Sequence, residues 1–344
     1  MWIIGCDFHP GFQVVMIFDK RTGEVEEKRL GHRQEAEQFY RKLQGQTRVG
    51  IEASGHSRWF LRLLAECGHE VWVGDAARIR AMEVRKQKTD RRDAAHILEL
   101  MLSGRFPRIW VPTEEERDAR QLLLHRHQRV RMRTQAKNQL QALMLNQGVQ
   151  RGRRLWSASG RAALGAMELL PYAARRRDEL LATVQQLDEQ IAGLDQLVQA
   201  EAEKRETARR LMTHPGVGAN TALMMVLTLG EVERFPCARK VSSYLGLAPR
   251  ENSSGGKQRL GHISKQGSAF ARFLLVEAGQ TAARKDEQLR RLYRRLAMKK
   301  NRSVAKVMVA RRLAVRLYWM LRNGWTYAEW WQHAGEPESS CGGR

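Results

Sequence analysis

Short apolar runs separated by turn residues dominate the first eighty positions of the chain. Five runs have the alternating or continuous apolar pattern of a strand, and they lie at residues 2–6, 12–18, 24–30, 47–51 and 70–73. Two other segments, at residues 35–43 and 57–67, have apolar positions at helical spacing and are predicted to be helices. Three strands followed by alternating helices and strands are typical of a mixed sheet. The pattern therefore predicts an α/β domain in residues 1–112.

From residue 90 the apolar positions recur every three or four residues, which predicts helices. The first covers Asp90–Met101, and a capping box at Thr113 and Glu116 begins a longer one. That longer helix runs to Asn146 without proline or glycine, and a basic linker follows at residues 148–160. These elements begin a helical region that we place at residues 113–204.

The second half of this region contains another long helix, which starts after Pro171. Its apolar a/d positions form one seam, made by Leu180, Val184, Leu187, Ile191, Leu194 and Val198. The seam predicts either a helical hairpin within the chain or a coiled coil between chains. A mostly helical C-terminal domain is expected at residues 205–334, and the small polar tail at 335–344 is expected to be disordered.

The net charge of +23 is concentrated in two blocks. Residues 117–177 and 284–322 each contain 14 basic and two acidic residues, and the rest of the chain is nearly neutral. Such blocks indicate polyanion-binding surfaces, although a solvated helix face is the plainer alternative. The candidate contacts are Arg126, Arg129, Arg133 and Lys137 in the first block, and Arg294, Arg295, Lys299 and Lys300 in the second.

Other features of the sequence narrow the class of protein. The apolar stretch 303–321 contains four basic residues, which excludes a membrane span, and the N-terminus lacks the basic start of a signal peptide. Four scattered cysteines without a CxxC pair argue against a disulfide scaffold and a zinc ribbon. We therefore expect a protein of the reducing cytoplasm, without a membrane partner.

Four carboxylates are placed where they can converge. Asp7 and Glu52 end predicted strands, and Asp90 and Asp93 share one face at a helix start. Converging carboxylates repel one another unless cations lie between them, and hard oxygen ligands suit Mg²⁺, with Mn²⁺ as an alternative. Taken singly, each residue also has an ordinary structural explanation as a turn former, a helix cap or half of a surface ion pair.

A hydroxyl- and glycine-rich loop lies at residues 250–257. Its glycines can form an anion nest, and Lys257 or Arg259 can hold phosphate oxygens. A serine there can attack phosphorus and form a phosphoserine, with His262 as a candidate base. A simple phosphate-binding turn remains the alternative.

A second phosphate-binding feature is the turn His214–Gly218, which precedes an apolar helix at residues 221–229. The turn is similar to the hairpin of a helix–hairpin–helix motif, in which backbone amides contact phosphates. Gly216 and Gly218 are the candidate contacts, although many Pro-Gly turns before a helix look similar.

Taken in order, these blocks resemble the DEDD transposases of insertion-sequence family one-hundred-ten, relatives of the pilin-gene inverting recombinases. The blocks that carry the resemblance are residues 5–7, 51–55, 88–94, 215–218, 244–250, 254–257 and 261–267. One departure is His9-Pro10, where the family frequently has His-Lys.

The resemblance implies a RuvC-like, ribonuclease-H-type N-terminal domain, a helical coiled-coil middle and a C-terminal transposase domain. By position, it implies a metal-binding tetrad of Asp7, Glu52, Asp90 and Asp93. It also implies a nucleophilic serine at Ser254, with Ser253 the less favoured choice. Its implied partners are donor and target DNA, a structured non-coding bridge RNA, and further copies of the chain in a homodimer or tetramer.

The predicted function is therefore RNA-guided, serine- and Mg²⁺-dependent DNA recombination. One alternative is a RuvC-like nuclease or Holliday-junction resolvase that uses water as the nucleophile and does not need Ser254. Another is a nucleic-acid-binding scaffold without catalysis, which would not need the carboxylates.

Overall fold

The computed structural model describes residues 1–83, 89–149, 155–253, 257 and 259–333. The chain forms two compact units, Met1–Val111 and Pro112–Arg344. Within the described residues, no helix is both long enough and apolar enough to cross a membrane.

The first unit contains a five-stranded mixed sheet flanked by helices. The sheet order is β3-β2-β1-β4-β5, in which β1 pairs antiparallel with β2 and parallel with β4. The elements are β1 Trp2–Phe8, β2 Phe12–Asp19, β3 Val25–Gly31, α1 Gln34–Lys42, β4 Thr47–Glu52, α2 Arg58–Glu66, β5 Glu70–Gly74, α3 Ala76–Ala81 and α4 Asp90–Leu102. The mixed α/β fold predicted from the sequence is confirmed, and α3 is an additional helix.

The two faces of this sheet are covered by different helices because side chains alternate along each strand. Ile4, Cys6 and Ile51 belong to a core shared with Tyr40 of α1 and Phe60 of α2. The opposite face is covered by α4, whose Ile97, Leu98 and Met101 share a core with Ile3. A site at the carboxyl end of β1 can therefore use residues from the start of α4.

The second unit is mostly helical, with one two-stranded sheet. Its elements are α5 Glu114–Asn146, α6 Ala158–Gly165, α7 Pro171–Lys204, α8 Glu206–Met212, α9 Ala219–Leu229, α10 Ala238–Tyr244, β6 Pro249–Glu251, β7 Leu260–Ile263, α11 Ala269–Lys285, α12 Glu287–Lys299, α13 Arg302–Asn323 and α14 Tyr327–His333. The predicted capping box at Thr113 and Glu116 is present. The linker prediction is partly wrong, because the Ser157 hydroxyl caps α6 inside it.

The long helices α5 and α7 pack together as a hairpin within the chain. Val184, Leu187, Ile191 and Val198 of the predicted seam are buried, and Leu140 of α5 is buried in the same hairpin. Two ion pairs cross the contact, from Arg126 to Asp195 at 2.5 Å and from Arg133 to Asp188 at 2.7 Å. The seam therefore forms the helical hairpin within the chain, which is one of the two predicted arrangements. The core at the base of this hairpin continues into α9, α11 and α13.

Candidate active site and nucleic-acid interface

Two of the predicted carboxylates lie at one end of the first sheet. The parallel register of β1 and β4 pairs Cys6 with Ile51, so Asp7 and Glu52 follow side by side. Cys6 and Ile51 point into the core against α1 and α2. Because successive side chains point to opposite faces, Asp7 and Glu52 project from the face that α4 covers.

Glycines bring α4 close to this sheet end. Gly5 pairs with Gly50 across β1 and β4, which removes two side chains from the surface beneath the helix. A Cβ atom at Gly5 would lie 2.5 Å from the backbone nitrogen of Leu98 and 2.9 Å from its Cβ. At Gly50 it would overlap the Met101 side chain. The backbone of α4 can approach β1 only because both positions lack a side chain.

This close approach places the first turn of α4 beside Asp7. The Thr89 hydroxyl caps the helix by accepting the Arg92 N–H, and Asp90 and Asp93 occupy the first turn. The Nε2 atom of His9 lies 3.0 Å from an Asp7 carboxylate oxygen and 3.6 Å from an Asp90 oxygen. One ligand atom from each of Asp7, His9 and Asp90 lies within 4.8 Å of the others.

The electrostatics of Asp7 are those of a crowded carboxylate. Burial raises the pKa of Asp7, and the negative charges of Asp93 and Asp90 raise it further, whereas the contact with His9 opposes the rise. Carboxylate oxygens with one imidazole nitrogen are donors that divalent cations accept, and a cation would relieve the repulsion that raises this pKa. The residues present therefore fit a divalent metal.

The other two tetrad members are placed differently. Asp93 is close enough to Asp7 for its charge to raise the pKa of Asp7. Glu52 lies at the same sheet end, but its Oε1 atom is 3.9 Å from the guanidinium of Arg80, in an exposed pair. His9 is a site residue that the sequence did not predict. The available signal was its position two residues after Asp7, directly beyond the end of β1 at Phe8.

The serine loop connects β6 and β7, which pair antiparallel. Ser254, together with Gly255 and Gly256, lies outside the described residues. Ser253 is engaged in the hairpin itself: its hydroxyl donates to Glu251 at 2.7 Å and accepts the Arg259 N–H at 3.1 Å. Lys257 and Arg259 are exposed on the same loop.

Arg272 of α11 ties together the two chain segments that enter and leave this hairpin. Its guanidinium donates to the carbonyl oxygens of Leu245 at 3.2 Å, Gln266 at 2.5 Å and Gly267 at 3.3 Å. Gly246 has a φ of 67°, and a Cβ there would overlap Gln266. The base of the serine hairpin is thus a fixed part of the second unit.

The predicted glycine turn joins α8 to α9, as in a helix–hairpin–helix arrangement. Gly216 has a φ of 91°, and a Cβ there would meet the Ala282 backbone of α11, so this glycine also serves packing. Gly218 is exposed at the start of α9. His214 is buried, and burial together with Arg316 lowers its pKa to about 4, which keeps the ring neutral.

The cations predicted on α5 are largely engaged within the protein. Arg126 and Arg133 pair with carboxylates of α7, and the Lys137 ammonium lies 5.1 Å from the centre of the Trp156 ring. Arg129 is half-buried. In the second block, by contrast, the predicted contacts are exposed on α12 and just after it: Arg294, Arg295, Lys299 and Lys300.

Comparison with known proteins identifies the family. Residues 4–147 match the DEDD transposase family of IS110, and residues 208–294 match the transposase IS116/IS110/IS902 family. A probable family 20 transposase from Pseudomonas aeruginosa is 29% identical over 303 residues, 84% of this chain and 87% of the relative. The transposase for insertion sequence element IS1328 from Yersinia enterocolitica is 30% identical over 233 residues, 67% of this chain and 70% of the relative. The transposase for IS1111A from Coxiella burnetii is 31% identical over 205 residues, 58% of this chain and 56% of the relative.

The chain therefore belongs to the IS110 family of DEDD transposases. This confirms the resemblance drawn from the sequence. A DEDD transposase domain implies DNA substrates and a divalent metal, and the carboxylates at the end of β1 and the start of α4 supply a candidate site for that metal.

The glycine contact beneath α4 makes a first prediction for the transposase. Gly5→Ala is expected to lower the free energy of unfolding by about 1–3 kcal/mol, because α4 must move to admit the methyl group. A movement of about 1 Å at Asp90 is expected to reduce DNA cleavage roughly a hundredfold. Urea denaturation and cleavage assays measure the two effects.

Gly11→Ala is the matched control, because among the described residues no atom lies within 4 Å of a Cβ built at Gly11. Wild-type cleavage by Gly5→Ala would show that the approach of α4 to β1 does not set the site.

Proposed function

We propose that the transposase is an RNA-guided, site-specific DNA recombinase in which Ser254 is the nucleophile and Mg²⁺ is the cofactor. The observation that carries the proposal is the convergence of Asp7, His9 and Asp90, with the charge of Asp93 close by. The ion would be held by the four predicted ligands, which are Asp7, Glu52, Asp90 and Asp93.

In the metal half of the reaction, a bound ion would supply electrostatic stabilisation of the charge that develops on the phosphodiester oxygens. Asp7 and Asp90 would hold it through carboxylate oxygens, and His9 keeps the Asp7 carboxylate oriented by their 3.0 Å contact. Glu52 would leave its exposed pair with Arg80 to complete the ligand set.

In the serine half, the Ser254 oxygen forms a bond to phosphorus while the bond from phosphorus to the 3′-oxygen of the DNA breaks. The serine proton passes to a base, for which His262 on β7 is the candidate, and the leaving oxygen takes up a proton to become a 3′-hydroxyl. Attack by a 3′-hydroxyl from another strand reverses the step and frees Ser254. The Ser253 hydroxyl is occupied by Glu251 and Arg259, which favours Ser254 as the nucleophile.

We expect the nucleic acids to contact basic side chains and backbone amides of the second unit. Lys257 and Arg259 would hold the scissile phosphate, and the exposed cations of α12 would bind DNA or RNA backbones. Base pairing with a guide RNA would supply the choice of sequence. The net charge of +23 supports a polyanionic partner.

Trapping the covalent intermediate tests this chemistry. The transposase is expressed from a plasmid that carries its own element with the flanking non-coding DNA, and protein joined to DNA is recovered under denaturing conditions. Ser254→Ala is expected to eliminate both the adduct and the excised junction, because the variant lacks the proposed attacking oxygen. Deleting the non-coding segment is expected to eliminate excision while leaving the protein folded.

Ser253→Ala is the matched control, since it removes the neighbouring hydroxyl and leaves Ser254 in place. It is expected to retain the adduct. Strand cleavage without an adduct in Ser254→Ala would favour the nuclease alternative, in which water attacks. An adduct that persists in Ser254→Ala but disappears in Ser253→Ala would transfer the role to Ser253.

A further inference from the structure

The second unit contains an open groove of about 1080 Å³ along one side of α5. Its lining includes Gln128, Arg131, Gln135 and Asn138 of α5, with Phe273 of α11. The four α5 positions are three, four and three residues apart, so they lie on one face of the helix. This face differs from the one whose Arg126 and Arg133 pair with α7.

The chemistry of this groove is that of base recognition. Each carboxamide offers one acceptor oxygen and two donor hydrogens, which match the donor and acceptor pairs on the edges of bases. The charged residues that line it are Arg131 and Arg176, and no carboxylate is found among the described lining residues. The groove therefore combines positive charge with neutral hydrogen-bonding side chains.

An aromatic surface lies at one side of the groove. The His127 ring lies 4.8 Å from the ring of Phe270 and 5.1 Å from that of Phe273, and Phe273 is 45% exposed. An exposed aromatic ring beside a positively charged groove is the arrangement on which unpaired bases stack. At 1.5 Å per residue, the distance from Gln128 to Asn138 is about 15 Å, enough for about four stacked bases.

We propose that this groove binds an unpaired nucleic-acid strand, with its bases read by Gln128, Gln135 and Asn138 and stacked on Phe273. The surface is concave, whereas a protein element that reads duplex DNA must project into the major groove. A strand whose bases are free can lie along the groove with its phosphates towards Arg131 and Arg176. The proposal rests on the proposed function as a nucleic-acid recombinase and assigns it a separate strand-binding surface.

The test is a binding measurement that needs no catalysis. The triple variant Gln128→Ala, Gln135→Ala and Asn138→Ala is compared with wild type on a fluorescent unpaired strand of roughly a dozen mixed-sequence nucleotides, as RNA and as DNA, and on a duplex of the same length. The triple variant is expected to bind the unpaired strand about tenfold to a hundredfold more weakly, because it lacks the three side chains that contact the base edges. Duplex binding and the salt dependence are expected to stay unchanged, since amides neutralise no phosphates.

The matched control replaces Gln185, Gln186 and Gln199 by alanine, because these amides are exposed on α7 away from the groove. Alanine favours helix in both variants, so both are expected to fold. A loss with either sugar supports the proposal. Unchanged binding of the unpaired strand would overturn it, as would a loss confined to the duplex. A triple variant that keeps its binding but changes its molecular mass in solution, and hence its oligomeric state, would also overturn it. Because the Ser254 adduct is measured separately, failure of the mechanism and failure of the groove give different results.

Discussion

Asp7→Asn is expected to reduce DNA strand cleavage by the transposase on the order of a thousandfold, while DNA binding persists. A bound divalent metal stabilises the transition state by several kcal/mol, and each 1.36 kcal/mol changes the rate tenfold. Asp7 is more enclosed than Asp90, with 14% of its side chain exposed against 46% for Asp90. Cleavage rates and filter binding on the same DNA measure the two properties.

The loss would not come from unfolding. Burial and the charges of Asp93 and Asp90 disfavour the Asp7 carboxylate, so the neutral amide is expected to leave the metal-free protein at least as stable. The asparagine can also keep a hydrogen bond to His9. Mn²⁺ binding, measured by titration calorimetry, provides a readout independent of activity and is expected to weaken in the variant.

Asp118→Asn is the matched control, because Asp118 is exposed on α5 and the substitution is the same. It is expected to cleave DNA and bind Mn²⁺ as the wild type does. Unchanged cleavage by Asp7→Asn would assign the metal to another part of the chain. The scaffold alternative predicts no cleavage by either protein and the same DNA binding in both, so that Asp7→Asn would leave every activity unchanged.

Local patterns predicted the elements well where one helix or strand determines them. The capping box at Thr113, the α7 seam and the three N-terminal strands depend on neighbouring residues only, and each is present in the structure. The short elements were harder to predict. The α6 helix lies in a segment rich in basic residues, glycine and serine, and its start depends on one cap at Ser157.

The candidate site shows more clearly what local sequence patterns cannot predict. The sequence placed Asp7, Asp90 and Asp93 correctly at element ends, but the role of Gly5 and Gly50 depends on the register of two strands and on the helix above them. No spacing within the chain contains that information. A glycine beside a carboxylate in a sequence motif can serve a turn or a close packing contact, and only its neighbours in space decide between them.

Charge was the least reliable guide to the exposed surface. The helical spacing of Arg126 and Arg133 correctly placed them on one side of α5, yet that side packs on α7, where Asp195 and Asp188 pair with them. The acidic partners are more than fifty residues away in sequence. The contacts of one helix therefore decide which cations remain available to a nucleic acid, and the amide-lined face of α5 carries few charges that composition could reveal.

A buried ion pair in the C-terminal domain carries the second large expected effect. Asp286 caps α12 by accepting the Leu289 N–H at 2.7 Å, accepts a hydrogen bond from Tyr327, and pairs with Arg316 at 2.8 Å. Both charged side chains are almost fully enclosed. Burial raises the pKa of Asp286, but the hydrogen bonds from Tyr327 and Leu289 and the charge of Arg316 outweigh burial and hold the pKa below its usual value.

Asp286→Ala is expected to lower the free energy of unfolding by about 3–5 kcal/mol, because it leaves the Arg316 guanidinium buried without its carboxylate. Urea denaturation of the full chain measures the loss. Since the folded-state pKa is lowered, the wild-type stabilisation is present above the ordinary carboxyl pKa and is lost as the pH falls through the lower folded value. The wild type is therefore expected to approach the variant only in acid.

Two further variants distinguish the stabilising effect of the buried pair from that of the α12 cap and from that of a surface charge. Glu287→Ala removes the neighbouring carboxylate, which pairs with Arg291 at the surface, and is expected to change the midpoint little. Adding Arg316→Met to Asp286→Ala removes the stranded charge and is expected to recover part of the lost stability, although the α12 cap stays absent. The contrary result is a double variant that is less stable than Asp286→Ala, by as much as Arg316→Met alone destabilises the wild type. The two residues would then act independently. The stability of this domain would depend on its apolar core rather than on the buried pair.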